Sequence, residues 1–294
     1  MSEASIDEEW LRCQKKQGHK GLIQWKDFQS DPEKYCKEAN LTPNTKRIHY
    51  ITAIANVTVR LVIKCVSSNR PQVYRFFKHR GTEHLFTGSG CVVYDVHESK
   101  HPCRCIRCKI WRSKNNTLIK TFSVYIVTAT HNVYDEGEAE KMTAELYYND
   151  NDRKNVKYLY GVSLYDRSVR EDSCVVECVT CDEELANEIK ANLERCKVLY
   201  REFPRSVEEI VAIISHPHAK PKHISFGECK NSSTFHCNLL SLKSFQYVAT
   251  TCPGSSGGPV LLMNDRCTLR GSKFELLNCP CHSGVTSEGL NFSA

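Results

Sequence analysis

TTCPGSSGGPVLL, residues Thr250 to Leu262, is the stretch that decides how this sequence is interpreted. Three glycines and two prolines surround its serines, although glycine weakens a strand through its backbone entropy and proline removes a donor from the sheet. A tight turn favours the same residues for conformational reasons alone. A nucleophilic serine uses them differently, because glycines let backbone N–H groups point at a developing oxyanion. The second interpretation requires a histidine and a carboxylate elsewhere in the chain.

Both partners are present in the sequence. The apolar segment VYIVTATHNVYD contains His131 directly after Thr-Ala-Thr, and Asp172 precedes the apolar run CVVECV. Taken singly, each residue is more often a surface or packing residue than a catalytic one. Together with Ser256 they occur in the order His, Asp, Ser with long separations, which is one of the chain orders known for a catalytic triad.

These motifs resemble those of the chymotrypsin-like (trypsin-fold) serine proteases. FTGSGCVV is similar to the strand pair ahead of the family's histidine, VTATHNV to its histidine motif, DSCVV to its Asp-x-Ala-x-Val segment, and GSSGGP to its Gly-Asp-Ser-Gly-Gly-Pro motif. The resemblance covers about residues 52 to 290. It implies an all-β fold of two packed six-stranded antiparallel β-barrels, with the triad in the cleft between them.

The resemblance also implies a role for each residue. Ser256 would be the nucleophile, His131 its general base, and Asp172 the group that orients the imidazole. The backbone N–H groups of Gly254 and Ser256 would form the oxyanion hole. Because a cysteine replaces the alanine of the aspartate motif, Asp166 is kept as an alternative acid.

A specificity pocket is predicted from a second similarity, to glutamyl endopeptidases, HtrA proteases and viral chymotrypsin-like proteases. Among these, glutamyl endopeptidases and picornaviral proteases place a histidine near the position of His282 and keep a threonine five residues before the nucleophile, which is Thr251 here. A histidine and a hydroxyl facing one pocket suit Glu or Gln before the scissile bond. The alternative is that His282 is a surface residue beside two cysteines. Ser255 replaces the aspartate that digestive proteases pair with a freed N-terminus, so activation by cleavage is not expected.

The strand pattern also predicts how the chain is divided. Short β-branched and aromatic runs separated by Gly, Asn, Asp and Pro begin at Ile51. We predict a helical or partly ordered arm at residues 1–48, a first barrel with the histidine and a cysteine-rich hairpin at 49–155, and a second barrel with the serine at 156–294. The segment CDEELANEIKANLERCKVLYREF has helical periodicity and is predicted to be a helix inserted in the second barrel.

A cysteine cluster is the one candidate metal site in the sequence. HPCRCIRCKIW brings Cys103, Cys105 and Cys108 together, with His101 adjacent, and three or four such ligands could hold a structural zinc ion. At least one ligand would come from elsewhere, and CPCH, Cys279 to His282, is a candidate. The alternative is a hairpin with reduced or disulfide-linked thiols. No cofactor is expected for the chemistry itself.

Charge and hydropathy bound the remaining possibilities. The net charge of +6 is spread over mixed-sign stretches of the 294-residue chain, so a nucleic-acid partner is not expected. The N-terminal sequence has no apolar core of signal-peptide length, and no apolar run approaches the roughly 20 residues of a membrane span. We therefore predict a cytoplasmic enzyme acting on protein or peptide substrates. A catalytically silent or autoinhibited binding module of the same fold remains the alternative.

Overall fold

The computed structural model describes Cys13 and residues 19–115, 119–202, 208–237, 240–263, 282–285 and 291–293; for 231–244, 283–285 and 291–293 only backbone is described. The N-terminal segment contributes a short strand, β1 (Ile23–Gln24), and then three helices. These helices are α1 (Trp25–Ser30), α2 (Pro32–Glu38) and α3 (Thr45–Val57). Asp31 caps α2 by accepting a hydrogen bond from the Lys34 N–H group, as its position before Pro32 favours. Apart from Cys13, the part of the predicted N-terminal arm before residue 19 lies outside the described residues.

Six antiparallel strands form a closed barrel directly after α3. In chain order they are β2 (Thr58–Ile63), β3 (Phe86–Glu98), β4 (Phe122–Thr128), β5 (Met142–Leu146), β6 (Lys157–Ser168) and β7 (Ser173–Thr180). Their order around the barrel is β2-β3-β4-β7-β6-β5, and pairing of β5 with β2 closes it. Valine, isoleucine and aromatic side chains fill the interior, where branched residues pack well on a pleated surface.

The rest of the strands form a second, seven-stranded sheet. Its members in the second half of the chain are β8 (Ile210–Ser215), β9 (His223–Cys237), β10 (Leu240–Tyr247), β11 (Val260–Leu262), β12 (His282–Val285) and β13 (Asn291–Ser293). The spatial order is β11-β8-β9-β10-β13-β12. The seventh strand is β1, whose Ile23 pairs with Ile224 of β9. The predicted all-β architecture is confirmed, with one closed six-stranded barrel. In place of the second predicted six-stranded barrel, the described residues form a seven-stranded sheet, to which the N-terminal segment contributes β1.

Three further helices lie between the strands: α4 (Ile106–Asn115), α5 (Glu136–Glu140) and α6 (Glu183–Arg201). Helix α6 is the predicted helix, although it connects β7 of the barrel to β8 of the second sheet rather than lying within a second barrel. Asp182 caps it through a hydrogen bond from the Leu185 N–H group. Helix α4 stands where the sequence was interpreted as a cysteine-rich hairpin. Its sequence IRCKIWRSKN has no glycine or proline to stop a helix, and Cys108 is its one fully buried residue, so its apolar periodicity is weak.

Among the described residues, no helix combines the length and the apolar character that a membrane crossing requires.

Candidate active site

His131 and Asp172 are joined at the ends of two neighbouring barrel strands. His131 follows β4, and Asp172 lies in the turn between β6 and β7. One carboxylate oxygen of Asp172 lies 2.6 Å from His131 Nδ1, and the other accepts a hydrogen bond from the His131 backbone N–H group at 3.0 Å. Asp172 has φ 46°, a left-handed conformation that aspartate tolerates better than most residues. The two contacts fix the imidazole orientation, while 19% of the His131 side chain stays exposed.

A buried ion pair contacts the backbone of this histidine. The side chains of Arg70 and Glu138 are fully buried and paired with each other. Arg70 also donates to the backbone carbonyl of His131 at 2.8 Å. Tyr74 lies close by, where burial and then the negative charge of Asp172 raise the pKa of its hydroxyl. The backbone of His131 is therefore held by an arginine that is itself fixed by a buried carboxylate.

The serine loop between β10 and β11 is shaped by two glycines and by its own backbone hydrogen bonds. Gly254 and Gly257 adopt φ values of 94° and 84°, a region that favours glycine. Ser255 N–H donates to Cys252 O, Gly257 N–H to His282 O, and Gly258 N–H to Ser255 O. Within the described part of the chain, the N–H groups of Gly254 and Ser256 donate to no protein acceptor. These are the two groups predicted for the oxyanion hole.

Ser89 and Asn132 connect the serine loop to the barrel. The carbonyl of Ser256 accepts hydrogen bonds from the Ser89 N–H group and from the Asn132 amide, both at 2.8 Å. The Ser89 hydroxyl donates to the Gly254 carbonyl at 2.7 Å. Ser256 is thereby attached to the residue that follows His131. Between these two described residues, no hydrogen bond joins the Ser256 hydroxyl to the His131 ring.

Sequence reasoning missed Ser89 and Asn132. Their one local signal is glycine: a Cβ atom on Gly88 would lie 2.5 Å from the Asn132 amide nitrogen, so only glycine leaves room for that side chain. The alternative acid, Asp166, lies in β6 opposite Val175 and accepts from the Arg167 N–H group. Among the described residues, no hydrogen bond or ion pair joins Asp166 to His131.

His282 lies against the serine loop although the chain between them is long. Its N–H group donates to Gly258 O at 2.9 Å, and its carbonyl accepts from Gly257 N–H. Its Nδ1 atom lies 2.7 Å from the hydroxyl of Tyr247, which is fully buried. Thr251 is also buried, in the same loop as the serine. The structure therefore brings both predicted pocket residues to the serine loop and adds Tyr247, which sequence reasoning did not identify.

The three clustered cysteines meet a fourth, Cys181, at the end of β7. One ligand atom from each of Cys103, Cys105, Cys108 and Cys181 lies within 4.8 Å of all the others, and the Cys105 and Cys181 sulfurs are 3.6 Å apart. Although burial opposes it, the Cys108 N–H group that donates to the Cys105 sulfur helps to lower the pKa of that thiol. His101 instead lies 3.7 Å from Glu177. Of the other predicted donors, Cys279 lies outside the described residues.

Comparison with known proteins gives weak structural similarity and no sequence family. No family model matches the chain, and no curated protein matches it. Similar solved structures include an HtrA-type protease, AlgW, with a decapeptide (13% identity, 83% of this chain and 62% of that chain, TM-score 0.42). They also include the active form of the Rv3671c protease from M. tuberculosis, with 10% identity over 83% of this chain and 78% of that chain and a TM-score of 0.42. A serine endoprotease from Yersinia pestis has 15% identity over 86% of this chain and 62% of that chain, with a TM-score of 0.43. The fold assignment rests on the barrel topology.

Proposed function

We propose that this protein is a serine endopeptidase in which Ser256, His131 and Asp172 form the catalytic triad. The observation that carries the proposal is the double contact of the Asp172 carboxylate with the ring and the backbone of His131. A carboxylate that accepts the Nδ1 proton leaves Nε2 as the basic nitrogen, which is the tautomer that a general base requires. Partial exposure of both side chains keeps the pair accessible to substrate.

The reaction then follows from these positions. The Ser256 hydroxyl oxygen adds to the substrate carbonyl carbon as its proton passes to His131. The oxyanion that forms accepts hydrogen bonds from the N–H groups of Gly254 and Ser256, which have no other protein acceptor within the described residues. Collapse of this intermediate breaks the peptide bond, and the leaving amine takes the proton from His131. Water, activated by the same imidazole, hydrolyses the acyl-enzyme and restores Ser256.

The pocket favours a substrate with Glu or Gln before the scissile bond. A Tyr247 hydroxyl that donates to His282 Nδ1 places the histidine proton on Nε2, where it can donate to a side-chain oxygen. The backbone bonds from His282 to the two glycines after Ser256 support its placement beside the nucleophile. Thr251, in the same loop, would supply a second polar group.

A structural zinc ion at Cys103, Cys105, Cys108 and Cys181 forms part of the proposal. Four thiols fit tetrahedral zinc, whose thiolate ligands lie about 3.8 Å apart when each is about 2.3 Å from the ion. The Cys105 N–H group donates to the Cys103 sulfur, and the Cys108 N–H group to the Cys105 sulfur, so backbone donors already stabilise sulfur charge. Zinc here would join helix α4 to the end of β7 without taking part in catalysis.

The direct test is labelling of the purified protein with a fluorophosphonate probe, which reacts with activated serines. We expect labelling of the wild type, and loss of labelling in both Ser256→Ala and His131→Ala at unchanged thermal stability. Asp166→Asn is the matched control and should label like the wild type. Labelling that persists in His131→Ala would refute the triad. A folded wild-type protein that does not label would instead support the inactive binding module.

The N-terminal arm at residues 1–48 and the cytoplasmic location are kept as parts of this proposal. The predicted boundary between 49–155 and 156–294 is wrong, because β6 and β7 belong to the first barrel, which ends at Thr180.

A further inference from the structure

A second group of side chains that could hold a metal ion meets at the serine loop. It consists of Cys13 and His19 from the N-terminal segment, His218 from the turn after β8, and Cys252 from the serine loop. One ligand atom from each residue lies within 4.8 Å of all the others. Three of the four residues are buried, and Cys13 is half-buried. Residues separated by more than 200 positions therefore converge at one point in the interior.

The geometry fits a tetrahedral ion better than a covalent bond. The sulfurs of Cys13 and Cys252 are 3.8 Å apart, whereas a disulfide requires about 2.05 Å. Two thiolates on one tetrahedral zinc ion lie about 3.8 Å apart. The His19 and His218 rings meet edge to face, with centroids 5.3 Å apart, as two imidazoles on one ion can. Two sulfur and two nitrogen donors form a set that selects zinc over hard cations such as magnesium or calcium.

The surrounding backbone holds the donors in place. His19 and His218 both have left-handed backbones, with φ of 55° and 50°, a conformation that is uncommon outside glycine but that histidine adopts more readily than most residues. The carbonyl of His19 accepts from Leu22 N–H, and the carbonyl of Lys20 accepts from the Thr250 hydroxyl. The pairing of β1 with β9 attaches the next residues of the N-terminal segment to the second sheet. These contacts attach the chain directly after His19 to the serine loop and the second sheet, whereas the contact of Cys13 is with the Cys252 sulfur.

We propose that Cys13, His19, His218 and Cys252 bind one structural zinc ion that fastens the N-terminal segment to the serine loop. Binding replaces the two thiol protons, which are released to solvent, and involves no redox step. Cys252 lies two residues before Gly254, and the N–H group of His218 donates to the Pro253 carbonyl at 2.6 Å. A Cβ atom on Gly254 would lie 2.6 Å from the His216 carbonyl, so the two loops are in close contact. The ion therefore holds the backbone that presents the Gly254 N–H group.

The metal site stands on its own geometry, whereas its effect on catalysis rests on the proposed function. Zinc content is measured first, by elemental mass spectrometry on the full chain purified under reducing conditions. We expect Cys13→Ser to contain one zinc ion fewer per chain than the wild type. Cys65→Ser, a half-buried cysteine outside both clusters, is the matched control and should keep the wild-type content. Equal zinc content in Cys13→Ser and Cys65→Ser would overturn the site.

Cobalt substitution in the Cys105→Ser variant separates the two clusters. With the four-cysteine cluster disrupted, this variant should still bind cobalt and show the absorption of a tetrahedral ion with two thiolate ligands. Loss of that absorption on adding Cys13→Ser would support the site, and its absence from a folded Cys105→Ser protein would overturn it. These readouts do not depend on enzyme activity.

The link to catalysis is tested by the rate of fluorophosphonate labelling. We expect at least tenfold slower labelling in Cys13→Ser than in Cys65→Ser, because the loop that carries Gly254 loses its fastening. Loss of zinc with an unchanged labelling rate would overturn the coupling. If the wild type does not label while Cys13→Ser loses zinc, the proposed function fails and the metal site stands.

Discussion

The side-chain amide of Asn132 donates a hydrogen bond to the backbone carbonyl of Ser256, at a distance of 2.8 Å. The same amide donates to the Thr128 hydroxyl, and the Ser256 carbonyl accepts a second bond from Ser89 N–H. Asn132, the residue after His131, thus attaches the backbone of Ser256 to the barrel. The distance between the proposed nucleophile, Ser256, and its base, His131, therefore depends on hydrogen bonds that neither of these two side chains makes.

Asn132→Ala should therefore reduce activity more than stability. The change removes one of two donors to the Ser256 carbonyl, and losing a buried hydrogen bond costs about 1–3 kcal/mol. We expect fluorophosphonate labelling to slow about tenfold or more, with a modest fall in the urea midpoint. Asn187→Ala, on the exposed face of α6, is the control. An Asn132→Ala protein that labels at the wild-type rate would contradict this role.

Arg70→Met should mainly lower stability. The substitution leaves Glu138 as an uncompensated buried charge, and breaking such a pair costs about 3–5 kcal/mol. The His131 carbonyl also loses its donor. We expect a corresponding fall in the free energy of unfolding, measured by urea denaturation. Arg80→Met replaces an exposed arginine and should change it by less than about 0.5 kcal/mol. Similar stabilities for the two variants would show that the buried pair is not essential.

The buried Lys222 should make stability rise with pH. Its ammonium group is fully buried and donates to the Ala55 carbonyl, and burial lowers its pKa from 10.5 to about 7. Between these values the unfolded chain binds the proton more tightly than the native protein, so the free energy of unfolding increases as pH rises from about 7 to 10.5. The full effect corresponds to roughly 5 kcal/mol.

The measurement compares urea unfolding of the wild type and Lys222→Met at several pH values. Thiols whose pKa is raised by burial in the native protein, such as Cys36, also lose protons in the unfolded chain in the upper part of this window. These thiols are common to both proteins and cancel in the difference. The wild type should gain stability relative to Lys222→Met as pH rises above about 7. A stability difference that stays constant up to pH 10 would contradict this prediction, because it would show that Lys222 has the same protonation state in the native protein and in the unfolded chain.

The sequence predicts local features of this fold better than it predicts its contacts. Alternating branched residues predict most of the strands, and the helical periodicity of CDEELANEIKANLERCKVLYREF predicts α6. Strand β6 was missed because Gly161 interrupts its pattern. A Cβ atom on Gly161 would lie 2.1 Å from the Ala139 carbonyl, so glycine serves a close backbone approach there.

Long-range partners leave no comparable signal. The bond from Ser89 to Gly254 joins residues 165 positions apart, and the sulfurs of Cys13 and Cys252 are 239 positions apart. Such contacts depend on the packing of the barrel against the second sheet, and the periodicity of a short segment carries no information about that packing. The order of the motifs along the chain could point to His131, Asp172 and Ser256 as candidate residues, because that order is typical of a whole fold rather than of one local element. It could not indicate Tyr247 or Cys181, whose roles depend on contacts with residues that are distant in the sequence.

Tyr247→Phe should change substrate preference without changing the activation of the serine. Its hydroxyl contacts His282 Nδ1, and removing it frees the histidine to carry its proton on either nitrogen. A pocket built to hydrogen-bond a substrate oxygen discriminates strongly only while its donor is fixed. We therefore expect kcat/KM to fall at least tenfold for peptides with Glu or Gln before the cut, and little for matched peptides with alanine there.

Fluorophosphonate labelling supplies the internal control for this prediction, because the probe does not use the side-chain pocket. Tyr247→Phe and the wild type should label at similar rates, and Tyr165→Phe, an exposed tyrosine on the first barrel, should match the wild type in every assay. An equal fall in kcat/KM for all peptides would mean that Tyr247 supports the serine loop rather than the pocket. A preference for Glu or Gln that persists in Tyr247→Phe would assign specificity to other residues, with Thr251 the next to replace.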